Sequence, residues 1–370
     1  MSKKIKFILW ILFLGLIVLA SCSLRPSKNL QVKEPENTED MIDSDLIIVG
    51  FSQLGSESDW RTANTKSIQK ALIKENGFSL IFANGRQSQE NQIKDVRSFI
   101  FQEVDYILIA PVMETGWDTV LTEAKEAGIP VIIVDRMIDT EDESLYVACV
   151  GTDKYAEGVK AGQWLEKYLK EQKRNDNTSK EKKTLDKKLI AEETSAKEKH
   201  GQDEDIINIV VLEGNPNSTA QIGRSQGFED IASLHENWNI LAHDSGDFTK
   251  AKGKEVMMKY LKEFDNIDVL VSQNDDMTFG AIEAIQEAGL TCGVDGEITI
   301  ISFDAVSEAF DMMEKGLINV DIECNPLQGE LIAKIIERLE KGEKPPKISY
   351  VDGRVFEAEN AAIERVGRSY

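Results

Sequence analysis

Two series of short apolar strands, each strand followed by an amphipathic helix, constrain this chain more than any other feature. The first series has strands at 47–49, 79–83, 105–110, 131–134 and 146–150. The second has strands at 206–212, 240–243, 269–272, 298–303 and 320–322. The segments between them repeat apolar residues at three-four spacing, as at Ile93, Val96, Phe99 and Ile100, which puts them on one helix face. Unbroken β-branched strands alternating with such helices predict parallel sheets covered on both faces. The expected fold is α/β: two similar three-layer α/β/α lobes, for which 370 residues suffice. A last long helix is expected over 326–341.

In an open parallel sheet, ligands sit beyond the carboxyl ends of the strands. The loop after the first strand brings Glu57, Ser58, Asp59, Trp60 and Arg61 to that place. Later strand ends bring Asp135-Arg136, Asn274, Asp304 and Glu323, and the motif IGRSQGF adds Arg224. A flat aromatic face, forked cations and carboxylates together suit a sugar, whose ring stacks and whose hydroxyls need partners. The bland alternatives are a core role for Trp60 and surface salt bridges for the charges. Trp117 either lines the same cleft or packs in the core.

The formal charge of -22 leaves no dominant basic surface, which argues against nucleic acid. Lys3, Lys4 and Lys6 precede an apolar run over 7–20 that is short for a membrane span. It ends in Leu19-Ala20-Ser21-Cys22, which resembles the bacterial lipoprotein cleavage box. Residues 1–21 are therefore expected to be a signal peptide and Cys22 a lipidation site. The polar stretch 22–44 reads as a flexible tether. Cys149, Cys292 and Cys324 remain, an odd number without C-x-x-C spacing, so neither a disulfide framework nor a zinc site is indicated. Cys149 and Cys324 read as buried thiols. No cofactor or metal is expected.

From 170 to 205 the chain is dense in Lys, Glu and Asp, with few large apolar residues. Such a stretch buries too little surface to offset its ordering entropy and is expected to be disordered or a solvated helix.

These landmarks in this order resemble the bacterial solute-binding proteins of the ribose and galactose type, which serve sugar ABC importers. Asp135-Arg136, Arg224, Asp247-Phe248, Gln273-Asn274-Asp275-Asp276-Met277, Phe303-Asp304 and the Pro326 turn carry the resemblance. GFSQLGSESDWR, QSQENQIKDVRSFI and IAPVMETGW look most like the galactofuranose-binding branch, which has Gly where this chain has Asp59. The resemblance implies two lobes, 45–151 plus 325–342 and 152–324 plus 343–370. Three crossovers would join them, near Gly151-Thr152, Cys324-Asn325 and Gly342. It implies that Arg61, Arg136 and Arg224 converge with Asp135, Asp304 and Glu323 around a monosaccharide, galactofuranose or galactose-like. It further implies a monomer that delivers the sugar to an ABC permease and touches the membrane through its lipid only.

A sensing lipoprotein that hands its sugar to a chemoreceptor or kinase is the alternative, which neighbouring permease genes would decide against. A glycoside-acting enzyme is less consistent, because each carboxylate is expected to be held ionised by an Arg. No G-x-S-x-G or P-loop pattern is present. A sugar-responsive repressor would carry a DNA-binding helix-turn-helix where this chain has its leader.

Overall fold

The first strand series forms β1 (Ile47–Gln53), β2 (Phe78–Asn84), β3 (Tyr106–Ile109), β4 (Val131–Asp135) and β5 (Ala148–Gly151). The second forms β6 (Ile207–Glu213), β7 (Trp238–Ser245), β8 (Val269–Ser272), β9 (Thr299–Phe303) and β10 (Val320–Ile322). Two three-residue strands, β11 (Ile348–Tyr350) and β12 (Val355–Glu357), add one edge to each sheet. The structure, a computed structural model, describes residues 46–188 and 206–370, without side chains at 175–188. The expected signal peptide, Cys22, the tether and 189–205 of the charged stretch lie outside the described residues.

The sheets run in the orders β11-β5-β4-β3-β1-β2 and β12-β10-β9-β8-β6-β7. Neighbours are parallel except β10 and β12. Both lobes thus repeat one plan, in which each lobe's first strand lies between its second and third. The order reverses beside that first strand, and a crevice opens at its carboxyl end.

The helices are α1 (Asp59–Ala71), α2 (Gln89–Phe101), α3 (Asp118–Glu126), α4 (Lys154–Lys188), α5 (Thr219–Ala232), α6 (Lys250–Glu263), α7 (Asp275–Glu287), α8 (Ser307–Glu314), α9 (Gly329–Glu340) and α10 (Ala361–Glu364). Ser58, Ser218 and Asn274 start α1, α5 and α7 by accepting a backbone N–H of the first turn. Period-two alternation gives each sheet two apolar faces. In the first lobe one face packs Leu108 and Ile132 against Ile332 and Ile336 of α9, the other Ile107 and Ile133 against Val96 and Leu121. The second sheet is covered likewise, by α6 to α8 on one face and α4 and α5 on the other.

Three segments join the lobes: 152–153, 323–328 and 351–354. The third is not near Gly342 as expected. Residues 343–350 stay with the first lobe because Ile348–Tyr350 pairs with Cys149–Gly151 of β5. The chain crosses after Tyr350, and Glu323 N–H then donates to Arg354 O at 2.8 Å. Helix α4 continues to Lys188, and Glu171 to Arg174 on it are exposed, so the charged stretch begins as a solvated helix. Cys149, Cys292 and Cys324 are buried free thiols. Among the described residues no helix is long and apolar enough to cross a membrane.

Candidate ligand-binding site

The carboxyl ends of β1, β4, β8 and β9 face one another across the lobes and close on a cavity of only about 20 Å³. Its walls include Glu57, Ser58, Trp60 and Arg61 from the first loop, and Asp135 and Arg136 from β4. The second lobe contributes Arg224, Asn274 and Asp304, joined by Lys154, Phe248 and Cys324. The lobes are closed: Met137 N–H donates to Thr219 Oγ1 at 3.1 Å and Asp59 N–H to Asp276 Oδ2 at 3.2 Å across the gap. No ligand could enter without the lobes parting.

Arg61 is fixed on both sides. Its Nη2 donates to Asp135 Oδ2 at 2.8 Å and its Nε to Glu57 Oε1 at 3.1 Å. Ser58 Oγ accepts the Arg61 N–H, so capping α1 also sets where this side chain starts. Burial would lower the Arg61 pKa, but Asp135 and Glu57 raise it overall. Asp135 receives a second cation, Lys154 Nζ at 2.9 Å. Burial pushes the Asp135 carboxyl up, yet Lys154, Arg61 and Arg136 together hold it well below the usual carboxylate range.

Lys154 opens α4 in the second lobe, so its bond to Asp135 crosses the hinge. Its ammonium also touches Cys324 Sγ at 3.0 Å. Arg224 lies one helix away. A Cβ at Gly158 would sit 2.3 Å from Arg224 O and one at Gly227 2.2 Å from Tyr155 O, so α4 and α5 can approach this closely only through glycine. That approach puts Arg224 Nε 2.8 Å from Glu157 Oε2. Its Nη2 donates to Asp304 Oδ1 at 3.1 Å and its Nη1 to Gln273 O.

Arg136 differs from both. Its Nε is 4.0 Å from Asp135 Oδ2, and its Nη1 reaches only Val112 O, at 3.5 Å. Its guanidinium lies over the Phe248 ring at 5.4 Å. Burial, followed by the Arg61 charge, lowers its pKa to about 10. Buried Arg136 Nε and Arg61 Nη1 have no hydrogen-bond partner. A buried unmade donor costs about 1–3 kcal/mol, so a ligand that supplies acceptors recovers that amount.

Trp60 is 4 % exposed and joins the core of the opposite lobe. Its indole N–H donates to Cys324 O, and Arg61 and Lys154 lie over its ring at 4.7 and 5.4 Å. It therefore serves cavity and core at once. Trp117 is fully buried in the first-lobe core, with its N–H on Met113 O at 2.8 Å, and does not line the cavity.

Asp59 and Glu323 are not brought to the cavity. Asp59 is exposed at its rim. Glu323 turns away and accepts from Tyr370 Oη at 2.6 Å, Arg368 Nη1 at 3.1 Å and Arg354 N–H at 2.9 Å. Nor does every carboxylate lie low. Burial, reinforced by Asp275, raises Asp304 well above the ordinary range despite Arg224. Lys154, Phe248 and Cys324 were not singled out as site residues by the sequence; only the place of Phe248 beside Asp247, just before a helix, offered a signal.

A family profile described as the periplasmic binding protein domain matches residues 49–344. The galactofuranose-binding protein of Escherichia coli (strain K12) is 38% identical over 322 residues, covering 86% of this chain and 90% of that protein. A crystal structure of a galactofuranose binding protein superposes with a TM-score of 0.75 at 36% identity, over 86% of this chain and 97% of the other. The periplasmic binding component of an arabinose ABC transporter from Shewanella sp. ANA-3, bound to α- and β-L-arabinofuranose, gives 0.72 at 40% identity, over 86% and 94%. With this sequence match and this repeated two-lobe fold, the chain belongs to the periplasmic binding protein domain family.

Proposed function

We propose that this chain is an extracytoplasmic solute-binding protein, anchored through lipid on Cys22, that captures one monosaccharide between its lobes and delivers it to an ABC importer. The ligand class is galactofuranose first and a galactose-like sugar second, bound without chemical change. The observation that carries the reading is the pair of buried donors without partners, Arg61 Nη1 and Arg136 Nε, on residues lining a cavity with Trp60 and Phe248. Aromatic walls suit a sugar's apolar face, and forked donors suit its hydroxyls. The furanose preference rests on what the galactofuranose and arabinofuranose binders are named for. Asp59, where the galactofuranose-binding branch has Gly, is exposed and outside the residues that line the cavity.

About 20 Å³ holds no sugar, so the walls open out to admit one, and the sugar-filled closed form is the form a permease would read. Calorimetry against a panel of furanoses and pyranoses, followed by mass analysis of the recovered ligand, tests the reading. One equivalent of unmodified sugar is expected. Absence of binding across the panel overturns the ligand class, and recovery of a cleaved or altered sugar overturns the binding role.

A further inference from the structure

Asp304 reaches the cavity only because the chain turns through two left-handed residues after β9. Asp304 has φ 109° and Ala305 φ 59°, both non-glycine residues in a region that disfavours them. Such a turn persists only where its surroundings over-determine it. Here Ala305 N–H donates to Asp321 Oδ1 at 3.1 Å and Val306 N–H to Asp275 Oδ2 at 2.8 Å. Asp275 opens α7 and Asp321 lies in β10; both are fully buried. Ser302 Oγ donates to Asp275 Oδ1 at 2.5 Å, while Asp321 Oδ2 has no other partner.

Accepting from adjacent backbone N–H groups holds the two buried carboxyls beside each other, close enough to bond. Ionised carboxylates only accept, so a bond between two of them requires a proton on one. Resting on the sugar-binding reading above, we propose that Asp275 and Asp321 share one proton and are positioning residues for Asp304, bracing the turn that carries its carboxyl into the ligand cavity. Neither touches the ligand.

Burial is the largest cause raising both groups. Asp321 raises Asp275 further; at Asp321 the interaction with Asp275 opposes the rise, Asp304 adds to it, and Arg368 from the C-terminal segment and the Ala305 N–H oppose it. A carboxyl raised in the folded state keeps its proton at low pH and gives it up as pH rises. The brace is therefore intact on the acid side, and repulsion opens the turn on the alkaline side.

The test measures sugar affinity from pH 6 to pH 9 in the wild type, Asp321→Asn and Asp321→Ala. It also measures hydrogen-exchange protection of the Ala305 and Val306 amides without sugar. Wild-type affinity should fall at least about fivefold with rising pH. Asp321→Asn supplies an N–H in place of the proton, so it should bind like the wild type at pH 6 and lose that fall. Asp321→Ala should lower protection of both amides about tenfold and weaken binding at every pH. A wild-type affinity that stays flat, an Asp321→Asn profile that still falls, or unchanged protection in Asp321→Ala overturns the proposal. Should Asp321→Ala fail to fold, the first two outcomes decide alone. If no sugar binds any variant, the ligand reading falls, and the exchange data still decide whether the pair braces the turn.

Discussion

Asp135 and Asp304 occupy the same place in the two lobes. Asp135 ends β4 and Asp304 follows β9, the fourth strand of each lobe, and both have positive φ, 64° and 109°. Each accepts from an arginine on the helix after its lobe's first strand, Arg61 at 2.8 Å and Arg224 at 3.1 Å. Their charge states diverge. Lys154 adds a second cation to Asp135 and holds it ionised, whereas burial raises Asp304. One lobe thus presents a fixed anionic acceptor at the cavity, the other a carboxyl that burial biases toward its protonated, donating form.

Asparagine separates these roles. Asp304→Asn keeps a neutral donor and acceptor and should weaken sugar binding by less than about fivefold. Asp135→Asn leaves Arg61 and Lys154 without their shared anion and should cost ~2–5 kcal/mol of binding. Calorimetry of the two variants side by side checks the order, and equal losses would contradict it.

Arg136→Ala should not disturb Asp135, which keeps Arg61 and Lys154. It removes a charged donor left for the ligand, and the expected loss is ~1.5–3 kcal/mol of binding with thermal stability unchanged or raised. Unchanged affinity would remove Arg136 from the site.

The lowered Asp135 pKa sets an acid limb of stability. Its pairing contributes fully above the ordinary carboxylate range, near about pH 4, and is lost as pH falls below it. Melting temperatures below pH 4 should therefore drop more steeply in the wild type than in Asp135→Asn. Parallel curves would show that the pair does not govern this limb.

Replacing 175–205 with a Gly-Ser linker should leave affinity within about threefold, since loop length alone costs only ~0.6 kcal/mol per doubling. Helix α4 enters the cavity at Lys154, far along the chain from the cut. Lost binding in a folded variant would assign the charged segment a part in closure.

Cys22→Ser should move the protein from the membrane fraction to the soluble fraction, because no lipid then holds it. Retention at the membrane would mean that 7–20 acts as an anchor itself.

The fold was legible because central strands such as Ile107, Leu108 and Ile109 are apolar on both faces, and that signature survives without context. Strands β11 and β12 were not, since three-residue edge strands with exposed positions resemble loops. The same limit moved the third crossover. Strand ends pointed to Asp135, Arg136, Asn274 and Asp304, all of which line the cavity. Glu323 failed because successive side chains of an extended segment point to opposite sides, and its neighbour Cys324 takes the cavity side. Asp59 failed for the helical counterpart of that reason, as Trp60 and Arg61 turn inward beside it. Lys154 carried no motif, and only the α4–α5 crossing at Gly158 and Gly227 gives it meaning.

Trp60 leaves one more mark on the behaviour of this protein. Its indole belongs to the first lobe by sequence and to the core of the second by contact, whereas Trp117, Trp164 and Trp238 each pack within a single lobe. Parting the lobes must pull that indole out of an apolar wall and into water. Each closing event therefore quenches or blue-shifts an emission that the chain already carries, and the lifetime of the bound sugar can be timed in unlabelled protein by its own fluorescence.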